Sequence, residues 1–393
     1  MTSAPARGAA PHPESMHYID AISGATYPLA VPRWRGDGGG SVNLSDAPGL
    51  KRADIDTAIR SLWRYRKALL VDAASAVSMG EGWTPLVAAA WDGIPVAFKL
   101  DYLMPTGSFK DRGMTVMVSY LRSRGVNRVL EDSSGNAGAS LSAYAAAAGM
   151  RARILVPETA SFPKIAQIAA CGADVVTIKG SRQDVAQAAL DMSGEMFYAS
   201  HNRQPFFAEG TKTLAYELWE QLGFRAPDNI VVPVGYGANV LGCDRGFSEL
   251  QRNGEISRVP RLFGVQAANC APYFAAFQAG TEEFVPVPVR ATIAEGIASS
   301  RPTRMREVLA PVRASEGAIV AVTEDEIVRA LGVLSRKGYY VEPTSAAAAA
   351  GLSQLIAAGA IGKGETTVLV LTGSGLKASE AIGKLLQLGA RSG

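Results

Sequence analysis

"MPTGSFKDRGM", from Met104 to Met114, lies between an apolar run that ends at Leu100 and a helix-patterned run that begins at Asp111. It puts Lys110 at the mouth of a glycine-containing turn, where a helix should start. The positive end of a helix dipole disfavours a cation. A neutral amine is penalised less there, and a lysine pKa falls readily on burial. A neutral lysine is also what Schiff-base chemistry requires. From this stretch alone a second reading stays open, a surface lysine paired with Asp111.

On either side of this turn, short apolar runs alternate with helical ones. Expected strands are 94–100, 128–132, 153–157, 174–179, 229–234, 261–267, 318–323 and 366–372. Several are rich in Val and Ile and nearly continuous in apolar character, as buried parallel strands are. Expected helices are 111–124, 137–149, 164–171, 184–192, 211–223, 325–337, 345–358 and 376–388. This alternation predicts an α/β fold of two domains with mostly parallel sheets flanked by helices. Residues 115–199 would form the smaller domain, and 51–114 with 200–393 the larger one. Residues 1–18 read as a loose tail, and the stretch around 51–69 as helical.

Ligands in such sheets bind beyond the carboxyl ends of strands, and four loops there carry polar or glycine-rich sequence. "PVGYGANVLG" (233–242) ends a strand with Gly235 and Gly237 and opens a helix near Asn239. Its free N–H groups suit a phosphate, or it is simply a tight turn. "SSGNAG" (133–138) could seat a carboxylate through helix N–H groups and the hydroxyls of Ser133 and Ser134, or could only cap a helix. In "LTGSGLK" (371–377), Thr372 and Ser374 place hydroxyls where one could meet a heterocyclic nitrogen. The fourth loop is that of Lys110. No G-x-x-x-x-G-K-[ST] or G-x-G-x-x-G pattern accompanies a first strand, which argues against nucleotide and dinucleotide sites.

Composition narrows the rest. The chain has 393 residues, 19% of them charged, and a formal net charge of +3. That balance gives no reason to expect nucleic acid or an anionic membrane as partner. Three scattered cysteines, Cys171, Cys243 and Cys270, and three histidines show no metal-site spacing. They fit a reducing compartment, and we expect a cytoplasmic protein without metal. The first residues lack an apolar core of signal-peptide type.

Together the motifs resemble pyridoxal-phosphate enzymes of the tryptophan synthase beta-like fold (fold type II), and within them the threonine synthase-like family. The matching stretches are "GEGWTPLV" (80–87), "PTGSFKDRG" (105–113), "SSGNAGAS" (133–140), "EGTKTLAYELWEQLG" (209–223), "PVGYGANVLG", "VEPTSAAAAAGL" (341–352) and "LTGSGLK". They follow the family's order over roughly residues 80–390. The resemblance implies pyridoxal 5'-phosphate as cofactor, held by Lys110 as an internal aldimine, with Lys110 later moving the substrate's α-proton. It implies Asn136 at the ring's phenolic oxygen and Gly235, Tyr236, Gly237, Ala238 and Asn239 around the phosphate. Thr372 would meet the pyridine nitrogen. Ser108, Ser133, Ser134 and Gly135 would face the substrate, a small amino acid, and "EPTSA" would lie near the cofactor. A homodimer is the family's usual state.

Two departures bear on function. The family's small zinc ribbon would fall at residues 19–50, but Ser23, Gly36 and Gly38 or Gly39 stand where its cysteines belong. A degenerate, zinc-free segment is expected. The family's substrate-phosphate binders, a threonine and an arginine, correspond to Ala137 and Phe207. Losing a bidentate phosphate binder removes charge-assisted bonds. The expected activity is elimination or replacement at the side chain of a small L-amino acid. Alternatives are threonine synthase proper, with Arg203 or His201 substituting; a serine-, threonine- or diaminopropionate-type ammonia-lyase; and a non-catalytic sensor.

Overall fold

The computed structural model describes residues 16–387, apart from Thr159 and Ser161 and the side chains of residues 162–164. The expected tail through residue 15 and the end of the last expected helix lie outside the described residues. His17 and Tyr18, assigned to that tail, instead belong to β1 (His17–Asp20), where Tyr18 is fully buried. With β2 (Thr26–Pro28) and β3 (Val42–Leu44), β1 forms an antiparallel sheet in the order β2-β1-β3. A Cβ on Gly36 would meet the Asp20 carboxylate at 1.6 Å, and that carboxylate accepts from the N–H groups of Ile22 and Ser23. At two of the positions proposed for ribbon cysteines, the chain therefore packs against an aspartate-centred turn. The stretch expected to be helical around 51–69 forms only 3₁₀ turns, Arg52–Asp54 and Leu62–Ala68.

An antiparallel pair follows, β4 (Leu86–Trp91) and β5 (Ile94–Lys99), and then α1 (Lys110–Ser123). The next segment alternates β6 (Arg128–Glu131), α2 (Asn136–Ala147), β7 (Arg151–Pro157), α3 (Phe162–Ala170), β8 (Asp174–Ile178), α4 (Arg182–Met192) and β9 (Phe197–Tyr198). Its strands make a parallel sheet, β8-β7-β6-β9. The chain continues through α5 (Pro205–Thr211), α6 (Thr213–Gln221), β10 (Asn229–Pro233), α7 (Ala238–Arg252), β11 (Arg261–Ala267), α8 (Pro272–Gln278) and α9 (Met305–Ala314). It closes with β12 (Ala318–Val322), α10 (Glu324–Arg336), α11 (Pro343–Ala357), β13 (Thr367–Val370) and α12 (Ser379–Leu385).

The larger sheet runs β12-β11-β10-β13-β5-β4, parallel except at β4. Its central strands are buried on both faces, which explains their unbroken apolar sequence. One face is covered by alanine-rich α11, whose small side chains allow close approach; a Cβ on Gly351 would lie 2.3 Å from Val265. Because β5, β13 and β10 are parallel, the loops after Leu100, Val370 and Pro233 all emerge at one edge. The loop after β6 reaches that edge from the other sheet. No helix among the described residues is long and apolar enough to cross a membrane.

Candidate active site

Backbone pairing joins three segments at this edge. Ser108 bridges Gly373 and Val341 bridges Ser374, both antiparallel. Phe109 N donates to Thr372 O at 2.9 Å, and Ser374 N to Gly107 O at 2.9 Å. Lys377 Nζ donates to Thr106 O at 3.0 Å, so the loops bearing Lys110 and Thr372 form one unit. Ser345, at the start of α11, accepts from the N–H groups of Thr372 and Gly373 at 2.9 and 3.1 Å, and its hydroxyl lies 3.2 Å from Thr372 Oγ1. The fourth segment arrives through Asn136, whose Nδ2 donates to both Glu342 carboxyl oxygens at 3.2 and 3.1 Å. Glu342 precedes α11 without capping it. Gly373 leaves the space this carboxylate fills, since a Cβ there would meet it at 2.2 Å.

Lys110 opens α1. Its Nζ lies 4.7 Å from the Phe109 ring centroid and 5.4 Å from that of Phe207. The side chain is only half-buried by surface area, yet dense protein surrounds it. Desolvation lowers its pKa to about 8, partly opposed by the Glu131 and Glu342 carboxylates. Asp111 is not its partner. That carboxyl is buried and accepts from Thr106 N at 2.7 Å, Thr106 Oγ1 at 2.5 Å and Ser140 Oγ at 2.6 Å. The next residue, Arg112, anchors the helix start through buried ion pairs with Asp101 at 2.7 Å and Glu217 at 2.8 Å.

The site holds several polar groups without partners. The Oγ of Ser108 and both side-chain polar atoms of Asn239 are buried and make no hydrogen bond. Such groups are costly unless a ligand satisfies them. Gly237 begins α7 at φ +87°, with no side chain capping the helix, so its first N–H groups are available to an anion. A Cβ on Gly237 would also strike Val308 at 2.2 Å. Gly135 begins α2 equally uncapped, beside the half-buried hydroxyls of Ser133 and Ser134. Thr372 and Ser345 present a hydroxyl pair, acceptors that do not impose a charge. An amine, two anion seats and a hydroxyl pair fit a phosphorylated heterocyclic aldehyde and an amino-acid carboxylate.

A family model described as "Pyridoxal-phosphate dependent enzyme" matches residues 77–373. The chain belongs to that family. It is 37% identical to the threonine synthase of Methanocaldococcus jannaschii over 329 residues, 81% of either chain. It is also 37% identical to that of Mycobacterium leprae, over 80% of this chain and 87% of the relative. Solved structures share the fold. Maize serine racemase superposes with a TM-score of 0.65 at 21% identity, over 78% of this chain and 93% of that one. An L-serine ammonia-lyase from Rhizomucor miehei gives 0.67 at 21%, over 77% and 97%. Pyridoxal phosphate is the cofactor of this enzyme, a threonine synthase-like lyase of fold type II.

Ala137 is 1% exposed in the first turn of α2, and Phe207 is 1% exposed in α5. Phe207 packs against α1 where Gly113 leaves room, a Cβ there lying 2.4 Å from the ring. It also lines a small pocket with His201, Tyr236, Ala238 and Arg304. Arg203 is turned onto the Trp34 ring, 5.9 Å from its centroid. The pocket's cation is instead Arg304, which donates to Asn202 O, Arg203 O, Val42 O and Asn43 Oδ1. Sequence reasoning missed the contact of Glu342 with Asn136, the bracing by Ser345, and the Glu131–His201 pair. The only sequence signals for these were that Glu131 is an acidic residue at a strand end before a serine- and glycine-rich turn, and that Glu342 directly precedes the proline that opens a helix.

Proposed function

We propose that this enzyme eliminates or replaces a group at the side chain of a small L-amino acid that carries no phosphate. The observation supporting it most directly is Phe207, an apolar ring 5.4 Å from Lys110 Nζ, standing where the family places a phosphate-binding arginine. In this reading Lys110 holds the cofactor and moves the substrate's α-proton. Asn136 orients the ring through its phenolic oxygen. Gly235, Tyr236, Gly237, Ala238 and Asn239 seat the phosphate, and Thr372, braced by Ser345, faces the pyridine nitrogen. Ser133, Ser134 and Gly135 bind the substrate carboxylate, Ser108 faces the substrate, and Ala137 and Phe207 bound its side chain. Bound pyridoxal phosphate supplies the electron sink for chemistry at Cα. A hydroxyl at the ring nitrogen leaves that sink weaker than a carboxylate would, which favours side-chain chemistry over transamination.

A second reading is threonine synthase itself, suggested by relatives of that name at 34–37% identity. It would require Arg304 to give up carbonyl partners for a substrate phosphate. We further infer a two-domain, cytoplasmic homodimer. Support comes from the sheet of β6–β9, built from a continuous segment, and from three cysteines none of which forms a disulfide.

A substrate panel separates the readings. Purified enzyme should absorb visibly as a lysine-bound cofactor does, and Lys110→Ala should lose that band. L-Serine, L-threonine, L-2,3-diaminopropionate and O-acetyl-L-serine should yield ammonia, keto acid or a replaced product. Threonine and phosphate from O-phospho-L-homoserine would establish the second reading instead. Bound cofactor without turnover of any of these would refute both.

A further inference from the structure

His201 and Glu131 form a buried pair at the edge of the pocket. Glu131 ends β6 and is fully buried; His201 follows β9 in the turn before α5. The Glu131 carboxylate accepts from the His201 backbone N–H at 3.0 Å and from the Asp132 N–H at 3.2 Å. His201 Nδ1 lies 3.3 Å from both of its oxygens. A carboxylate only accepts, so its partner Nδ1 carries the imidazole proton and Nε2 keeps a lone pair. None of the described residues hydrogen-bonds Nε2, and His201 lines the pocket with Phe207, Tyr236 and Arg304. The imidazole meets the Phe207 ring edge-on at 5.6 Å between centroids, and Lys110 Nζ lies 5.4 Å from the centroid of the same ring. The imidazole and the lysine amine thus both pack on the Phe207 ring.

Nothing in the reading above uses this pair, although it resembles the base–orienter arrangement of general-base catalysis. Burial, reinforced by the charge of Lys110, holds the imidazole well below its usual pKa, so it is neutral near pH 7. Burial raises the Glu131 carboxyl, and the N–H groups of His201 and Asp132 and the charge of Arg182 oppose that rise.

We propose that His201, backed by Glu131, is a second catalytic base: its Nε2 takes the proton of the group that enters at the substrate's side chain. The proposal rests on the reading of Lys110 as the group acting at Cα, and it selects replacement over simple elimination. In the step, the H–Y bond of the entering group breaks and the electron pair of Y forms the Y–C bond. The proton passes to Nε2, and the imidazolium is countered by Glu131. The departing group leaves with its bonding pair and takes that proton, restoring neutral His201.

The test uses holoenzyme with L-serine and L-threonine in D₂O and, separately, in H₂¹⁸O. Hydrogen exchange at Cα reads Lys110; ¹⁸O in the recovered β-hydroxyl reads water entering at Cβ. Wild type should do both. His201→Asn should keep Cα exchange within about threefold and slow ¹⁸O entry about 100-fold or more. Glu131→Gln should fall between them. A retained cofactor band and melting midpoint identify variants that are folded. ¹⁵N-histidine spectra of the full chain, with the His201 signal assigned by its loss in His201→Asn, give a readout independent of turnover; they should show Nδ1 protonated and Nε2 bare at pH 7. Unchanged ¹⁸O entry in His201→Asn, an equal fall in both exchanges, or a proton on Nε2 would overturn the proposal. Wild type exchanging only at Cα refutes this proposal and leaves the Lys110 reading intact. Wild type exchanging at neither position, with no turnover in the panel, refutes both.

Discussion

Glu217 should be the most stability-sensitive carboxylate beneath the Lys110 loop. It lies in α6 with no solvent exposure and accepts from Lys99 Nζ at 2.5 Å and from Arg112 at 2.8 and 3.0 Å. The backbone N–H groups of Trp83 and Thr84 also donate to it, each at 2.8 Å. Burial alone would raise this carboxyl, but Arg112 and Lys99 hold it well below the usual carboxylate range. Two buried cations, Lys99 and Arg112, are balanced by two buried anions, Asp101 and Glu217. Glu217→Gln keeps the shape but leaves one positive charge unbalanced in a dry interior. Removing one member of a buried pair costs about 3–5 kcal/mol. Urea unfolding with saturating cofactor should show that loss in the midpoint at constant slope. Lys99→Met added to Glu217→Gln removes the surplus charge and should recover more than half of the loss, because an apolar replacement carries no desolvation penalty. Burial already depresses the Lys99 pKa, so the single variant should also regain stability as pH rises and Lys99 sheds its proton. A Glu217→Gln midpoint within error of wild type, or a double variant no more stable than the single one, would refute this account of the cluster.

Three further outcomes follow from the site geometry. Gly237→Ala combines a side chain at φ +87° with a 2.2 Å approach to Val308, and equilibrium dialysis should show cofactor affinity falling about tenfold or more. Cofactor loading of the apo-enzyme needs neutral Lys110, so stopped-flow absorbance should show the loading rate rising with pH through about 8 and levelling above it. For Asp111, burial raises the carboxyl from 3.8 to about 6, so the folded state binds the proton more tightly than the unfolded one. Its ionisation therefore carries its full stability cost well above pH 6, and that cost is lost only as pH falls through 6 to below 3.8. The stability difference between wild type and Asp111→Asn should shift in favour of wild type by about 3 kcal/mol over that window, measured by urea unfolding at stepped pH.

Much of the fold is legible in local sequence because its strands are buried on both faces. A run such as Asn229–Pro233 has no polar face to blur its pattern, and turns with obligatory glycines punctuate it. Amphipathic α10 and α4 likewise announce themselves through capping residues, Thr323 and Ser181. The stretch Leu62–Ala68 misled because its apolar and basic residues have helical spacing. Its backbone is instead shaped by distant partners, with Arg64 and Tyr65 both binding Glu220. The cofactor was also readable, through the order of family motifs from residue 80 to 377 that the family match over 77–373 bears out.

Long-range contact decided the rest. No spacing rule could reveal that Asn136 meets Glu342, 206 residues away, or that Ser345 braces Thr372. The sequence offered Asp111 as a neighbour for Lys110; packing turned that carboxylate toward Thr106 and Ser140 and left the lysine amine against two aromatic rings. Likewise His201 looked like a stand-in phosphate ligand until the structure set Glu131 behind it. Most strands and helices of this chain are written in local sequence, with exceptions such as Leu62–Ala68. The protonation of its reactive groups depends on which charges the folded sheets bring within a few ångströms in a dry site, and only the tertiary structure sets those distances.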